Sequence, residues 1–97
     1  MQTKLAFIIC DQGVEPDVLA ALGRLDLPHY TRWTDCSGSG ETGIRDGSAI
    51  WPGLNSVIMV LMPADKVESV VACLHEIRDS FTVTPGMKII VTEAVMF

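Results

Sequence analysis

The sequence predicts an α+β domain with the element order β-α-β-β-α-β. Three observations predict it. Apolar runs at 3–10, 54–62 and 87–95, and a run rich in aromatic and β-branched residues at 29–36, read as strands. Between the first two runs, and again between the last two, apolar residues recur at a spacing of three and four, the period of a helix with one buried face. Between the second and third runs lies a stretch, 38–53, that holds five of the chain's eight glycines.

Each element has its own signals. Residues 3–10, TKLAFIIC, form an apolar first strand that stops at the turn signal Asp11-Gln12-Gly13. Pro16 suits a first helical turn. Val14, Val18, Leu22 and Leu25 then recur on one face, widened by Leu19 and Ala21, to a helix end near residues 26–28. Gly23 inside this helix costs up to about 1 kcal/mol relative to alanine, which points to close packing there. Residues 29–36, HYTRWTDC, form the second strand. Alternation places Tyr30, Arg32, Thr34 and Cys36 on one side and His29, Thr31, Trp33 and Asp35 on the other. The third strand, 54–62, is apolar on both faces from Val57 onward. Asp65-Lys66-Val67-Glu68 resembles a capping box. Val67, Val70, Val71, Leu74, Ile77 and Phe81 then make one helical stripe. Pro85-Gly86 breaks it, and 87–95 is the fourth strand.

This order is the split βαβ pattern of a ferredoxin-like fold: a four-stranded antiparallel sheet with two helices on one face. The 97 residues provide for one core, so 1–97 is read as one domain. Two helices cover one face only, yet the first, third and fourth strands read apolar on both. A second copy of the chain is the economical cover, which predicts a homo-oligomer.

Composition excludes some functions. The net charge is −5, and the seven Lys and Arg residues are scattered singly. Direct nucleic-acid binding is disfavoured, because phosphate neutralisation needs a local excess of cations. No apolar run approaches the roughly 20 residues of a membrane helix, so no membrane insertion is expected. The N-terminal apolar run is too short for a signal-peptide core. Three cysteines at wide spacing fit a reduced, cytoplasmic chain.

Residues 38–53, GSGETGIRDGSAIWPG, read as a long loop presented by the rest of the chain. Gly38-Ser39-Gly40-Glu41-Thr42-Gly43 formally matches G-x-G-x-x-G, but no helix follows and no βαβ unit surrounds it, so the dinucleotide fingerprint fails. Two readings remain for these glycines: amides cradling an anion, or a flexible loop root. Cys36 with His29, Asp35 or Glu41 lacks the clustered spacing of a metal site. Ser37, Ser39 and Thr42 have no recognisable base, and Glu41 with Asp46 has nothing to hold the pair rigid, so no catalytic set is expected. Trp51, followed by Pro52-Gly53, is either a hinge packed on the body or an anchor for a partner.

Tyr30-Thr31 at the second strand, Gly38-Ser39-Gly40 opening a long loop, Pro63-Ala64-Asp65-Lys66-Val67 before a Val-rich helix, and the element order together resemble the PII signal-transduction superfamily. The run G-x-G-E-T-G-x-R with I-W-P-G-L-N is similar to its divergent PII-like members. The resemblance covers nearly the whole chain. It implies a homotrimer whose 38–53 segment is the T-loop, the arm these regulatory proteins place on targets such as membrane transporters or enzymes. It implies an effector, usually an adenine nucleotide, in clefts between subunits. Gly38 and Gly40 match the T-loop base, and Glu41 stands near the place of the loop glutamine. Lys88 matches the lysine that ends a phosphate-binding turn. That turn here reads Thr84-Pro85-Gly86-Met87-Lys88, so one glycine and the acidic residue of the family's turn are missing and the ATP site is incomplete. The uridylylated tyrosine is missing too. Arg45, Ile50 and Trp51 are the expected partner contacts. The implied function is signalling without catalysis. The alternative is a metal-binding protein similar to the CutA relatives, with Cys36 and His29 as ligands.

Overall fold

The computed structural model describes residues 2–40, 43–45 and 54–97, with the backbone alone described at 38–40 and 43–45. Strand β1 spans Thr3–Asp11, helix α1 Glu15–Arg24, β2 Thr31–Cys36, β3 Gly38–Gly40, β4 Gly43–Arg45, β5 Asn55–Pro63, helix α2 Val67–Asp79 and β6 Met87–Ala94. The main sheet has the order β2-β5-β1-β6, with every neighbouring pair antiparallel. This is the predicted ferredoxin-like arrangement.

Period-two alternation sorts the central strands. Ala6, Ile8 and Cys10 of β1 and Ser56, Ile58, Val60 and Met62 of β5 are buried. They share one core with Val14, Val18, Ala21 and Leu22 around α1 and with Val70 and Leu74 of α2. Full burial of a side chain such as Ile8, Leu22, Ile58 or Leu74 contributes about 1.5–3 kcal/mol, so this layer carries the fold. The other face carries Leu5, Phe7 and Ile9, opposite Leu61, Met59 and Val57 on β5 and Thr92, Ile90 and Lys88 on β6. Among the described residues no helix covers it, and these central residues remain partly accessible.

Six local expectations are corrected. β2 begins at Thr31, so His29 and Tyr30 precede the strand. A bulge falls between Trp33 and Cys36, where Asp35 adopts φ 58°. Trp33 pairs with Val57 and Cys36 with Asn55, so the two share a face, where unbroken alternation separates them. Gly23 is not closely packed: a β-carbon there would meet nothing within 4 Å. The capping box does not form, because Ala64–Lys66 makes a 3₁₀ turn and α2 starts only at Val67 without a side-chain cap. Helix α2 stops before Phe81, because the Ser80 N–H and hydroxyl both donate to the Ile77 carbonyl (3.1 and 2.7 Å), taking the acceptor that a further turn needs. The glycine-rich stretch also opens with an element: β3 and β4 form an antiparallel ribbon, with Gly38 opposite Arg45 and Gly40 opposite Gly43.

Candidate functional site

The antiparallel order brings four chain segments to one end of the sheet. They are the C-terminal ends of β1 and β2 and the N-terminal ends of β5 and β6. Asp11 and Gln12 bind them together. The Asp11 N–H donates to the Gly86 carbonyl at 2.9 Å, and the Gln12 N–H donates to the Leu54 carbonyl at 3.0 Å. The Gln12 side-chain oxygen accepts from the Asp35 N–H at 3.0 Å, at the residue held in the left-handed region. Thus the departure of the 38–53 stretch, its return and the turn before β6 all rest on two consecutive residues. Asp11 also closes its own turn by accepting from the Gly13 N–H at 3.0 Å.

One turn further on, Glu15 opens α1 and is 5% exposed. Its two carboxylate oxygens are held from two strands. The Ser56 hydroxyl on β5 donates to one, and the Arg32 guanidinium on β2 donates to the other. An acidic residue at a helix N-terminus is favoured by the helix dipole. A buried carboxylate also needs charge pairing and hydrogen bonds to offset its desolvation. Beside it, Cys10 is 1% exposed, and its thiol is pushed up to about 12, first by burial and then by the negative charges of Glu15 and Asp11.

The expected site residues fall into three groups. Gly38 and Gly40 lie in β3, joined to β2 by Ser37 alone, and Arg45 closes β4 opposite Gly38. Lys88 is exposed at the start of β6, opposite Ile9 on the open face. It shares with the ribbon the same end of the sheet. Glu41, Ile50 and Trp51 lie outside the described residues. Of the alternative metal ligands, His29 is exposed ahead of β2 and Cys36 is half-buried at its end. Among the described residues, no three of His, Cys, Asp and Glu come together to hold a metal ion. Among the described residues, no helix is long and apolar enough to cross a membrane. At the opposite end of the sheet, an open cleft of about 380 Å³ is lined by Arg24, Leu25, Asp26, Asp65, Lys66 and Ser69. It shares nothing with the loop root.

Sequence reasoning gave Gln12 only a place in a turn signal and passed over Glu15 and Ser56. Glu15 carries a signal only in part. An acid beside Pro16 marks a helix start, but nothing local says that its partners stand 17 and 41 residues away.

No protein-family model matches the chain, and no curated protein sequence does. Solved structures do. CPII, a nitrogen regulatory PII-like protein from Thiomonas intermedia K12 bound to ADP, AMP and bicarbonate, matches with a TM-score of 0.74 at 16% identity, over 97% of this chain and 89% of its own. A DUF3240 family protein from Shewanella baltica OS155 matches with a TM-score of 0.76 at 12% identity, over 100% and 94%. PII from Arabidopsis thaliana bound to citrate matches with a TM-score of 0.69 at 19% identity, over 93% and 75%. The chain has the fold of the PII-like proteins, and at these identities the likeness is one of fold.

Proposed function

We propose that the chain is a divergent PII-like regulatory protein, cytoplasmic and without catalytic activity. It works as a homotrimer that senses a small effector and acts on a target protein through residues 38–53. The observation that carries this reading is the convergence at Asp11 and Gln12. Asp35 and Leu54, which flank the 38–53 stretch, and Gly86 in the turn before β6 are hydrogen-bonded to one dipeptide. An effector touching any of these segments would act on all of them. Such a ligand shifts the loop only by the difference in its affinity for two loop states.

Gly38, Gly40, Glu41 and Lys88 are the proposed effector contacts. Gly38 and Gly40 let a ligand approach the ribbon backbone closely, and Lys88 supplies a cation at the same end of the sheet, which favours an anionic ligand. The Thiomonas neighbour was solved with ADP, AMP and bicarbonate, which makes adenine nucleotides the first class to test here. Arg45, Ile50 and Trp51 are the proposed contacts with the target, a membrane transporter or an enzyme. Arg45 suits a charge-assisted pair with a carboxylate.

A thermal-shift panel of ATP, ADP, AMP, cyclic AMP, bicarbonate and 2-oxoglutarate tests the reading. A ligand at 100 times its dissociation constant stabilises the native state by about 2.7 kcal/mol per site. The expected outcome is a shift with one adenine nucleotide that Lys88→Ala abolishes. No shift with any of the six removes the effector half of the proposal.

A further inference from the structure

We infer that Glu15 is the positioning residue of the loop root: anchored on the core by Ser56, it tethers Arg32 and so holds edge strand β2, and with it β3 and β4, on the body. The need for a tether follows from how little else holds β2. Its residues 31–35 are all exposed, and even Trp33 is 47% exposed. It pairs within the main sheet with β5 alone, and that pairing is interrupted between Trp33 and Cys36. Weakly buried edge segments open locally at free energies far below that of global unfolding. Each side-chain contact that crosses to the body therefore weighs heavily on β2.

Among the described residues two such contacts are seen, one from Gln12 between β1 and α1 and one from Glu15, the first residue of α1. Gln12 holds the Asp35 N–H at the bulge, and Glu15 holds Arg32 three residues earlier. The Glu15 contact is the stronger kind, since hydrogen bonds between charged groups exceed neutral ones. It is also one-sided. Glu15 is buried and fixed to β5 through Ser56, whereas the Arg32 side chain is 49% exposed. If the pair parts, Arg32 is the half that leaves, taking β2 with it. Ser37 alone separates β2 from β3, so a displaced β2 re-aims Gly38 and Gly40 directly. The tether is a property of the chain alone; only its use in relaying an effector to the loop rests on the function proposed above.

Amide hydrogen exchange on the full chain without nucleotide tests it. In Glu15→Gln, which keeps the shape and an acceptor for Ser56, amides of residues 31–36, 38–40 and 43–45 should exchange about tenfold faster or more. Those in the centres of β1 and β5 should stay within about twofold of wild type. Ser56→Ala is the control. It leaves the Glu15–Arg32 pair in place while loosening its anchor on β5, and should accelerate residues 31–45 by less than Glu15→Gln does. Should Glu15→Gln not fold, the same comparison on Arg32→Gln decides. Arg32→Lys, which keeps the charge, should recover most of the protection. Equal acceleration in every strand, or none at residues 31–45, overturns the assignment. A failed nucleotide panel would leave these outcomes unchanged, and a failed exchange result would leave the panel intact.

Discussion

Cys10 shows how a core position governs the chemistry of one atom. It projects from β1 into the helix layer beside Glu15, and its thiol is pushed from 9.0 to about 12 by burial, with the charges of Glu15 and Asp11 adding to it. The thiolate is the reactive form, so this cysteine should be inert. At pH 8, Cys36 and Cys73, both partly accessible, should be alkylated in the native protein, and Cys10 only after unfolding. Mass spectrometry of the labelled chain reads this directly; native labelling of Cys10 would contradict the packing. Stability follows with a definite sign. Above pH 9.0 the unfolded thiol releases its proton while the folded one keeps it up to about 12. The folded state is then penalised by about 1.4 kcal/mol per pH unit across that window, and by nothing below it. Urea unfolding of wild type against Cys10→Ala should show this difference in slope.

Helix α1 ends in a motif whose residues are out of place. The Leu27 N–H donates to the Leu22 carbonyl at 2.9 Å, and the Asp26 N–H to the Gly23 carbonyl at 3.2 Å. This is the paired hydrogen bonding of a Schellman stop, with buried Leu27 closing it against the core. The left-handed residue that the motif requires is Asp26, at φ 60°, where glycine is the residue of least cost. The glycine lies three residues earlier, in the helix, where a side chain would meet open space. Asp26→Gly should therefore stabilise by about 0.5–1 kcal/mol, and Gly23→Ala by up to about 1 kcal/mol. For a domain of this size each kcal/mol raises the melting temperature by about 4–8 °C at fixed protein concentration. A lowered melting point for Gly23→Ala would mean that space at residue 23 is used by something beyond this chain.

At the scale of the molecule, the sheet has one covered face and one open face. Leu5, Phe7 and Ile9 of β1 line the centre of the open one, flanked by Trp33, Val57, Met59, Leu61 and Ile90. Apolar area of this kind on one continuous surface marks an interface or an aggregation hazard. The proposed trimer would bury it. Ile90 is 47% exposed in the single chain, so a lysine there should be tolerated by the fold. Ile90→Lys should keep its circular dichroism and sediment as a smaller species than wild type. A wild-type protein that sediments as a monomer would remove the trimer and leave the apolar face without its proposed occupant.

Periodicity carried the fold at the level of elements. The 3.6-residue stripe at Val67, Val70 and Leu74 and the two-faced apolar runs of β1 and β5 already determined the element order, the helix-covered core and the open face. These patterns are local, since burying one face forces apolar residues to recur at the element's own period. The expectations that failed were also local: the capping box at Asp65 and unbroken alternation through Asp35. Each was overridden by a turn or bulge that tertiary contacts impose. Glycine spacing marked Gly38 and Gly40, which stand in β3 one residue beyond β2, while their contact with an effector belongs to the proposal. What only the tertiary structure decided was the meeting of Glu15, Arg32 and Ser56, and of Gln12 with Asp35. The chain alone does not pair residues that stand 17, 23 and 41 positions apart. The order of strands in the sheet does, because it sets which ends lie together and which carboxylate loses its water.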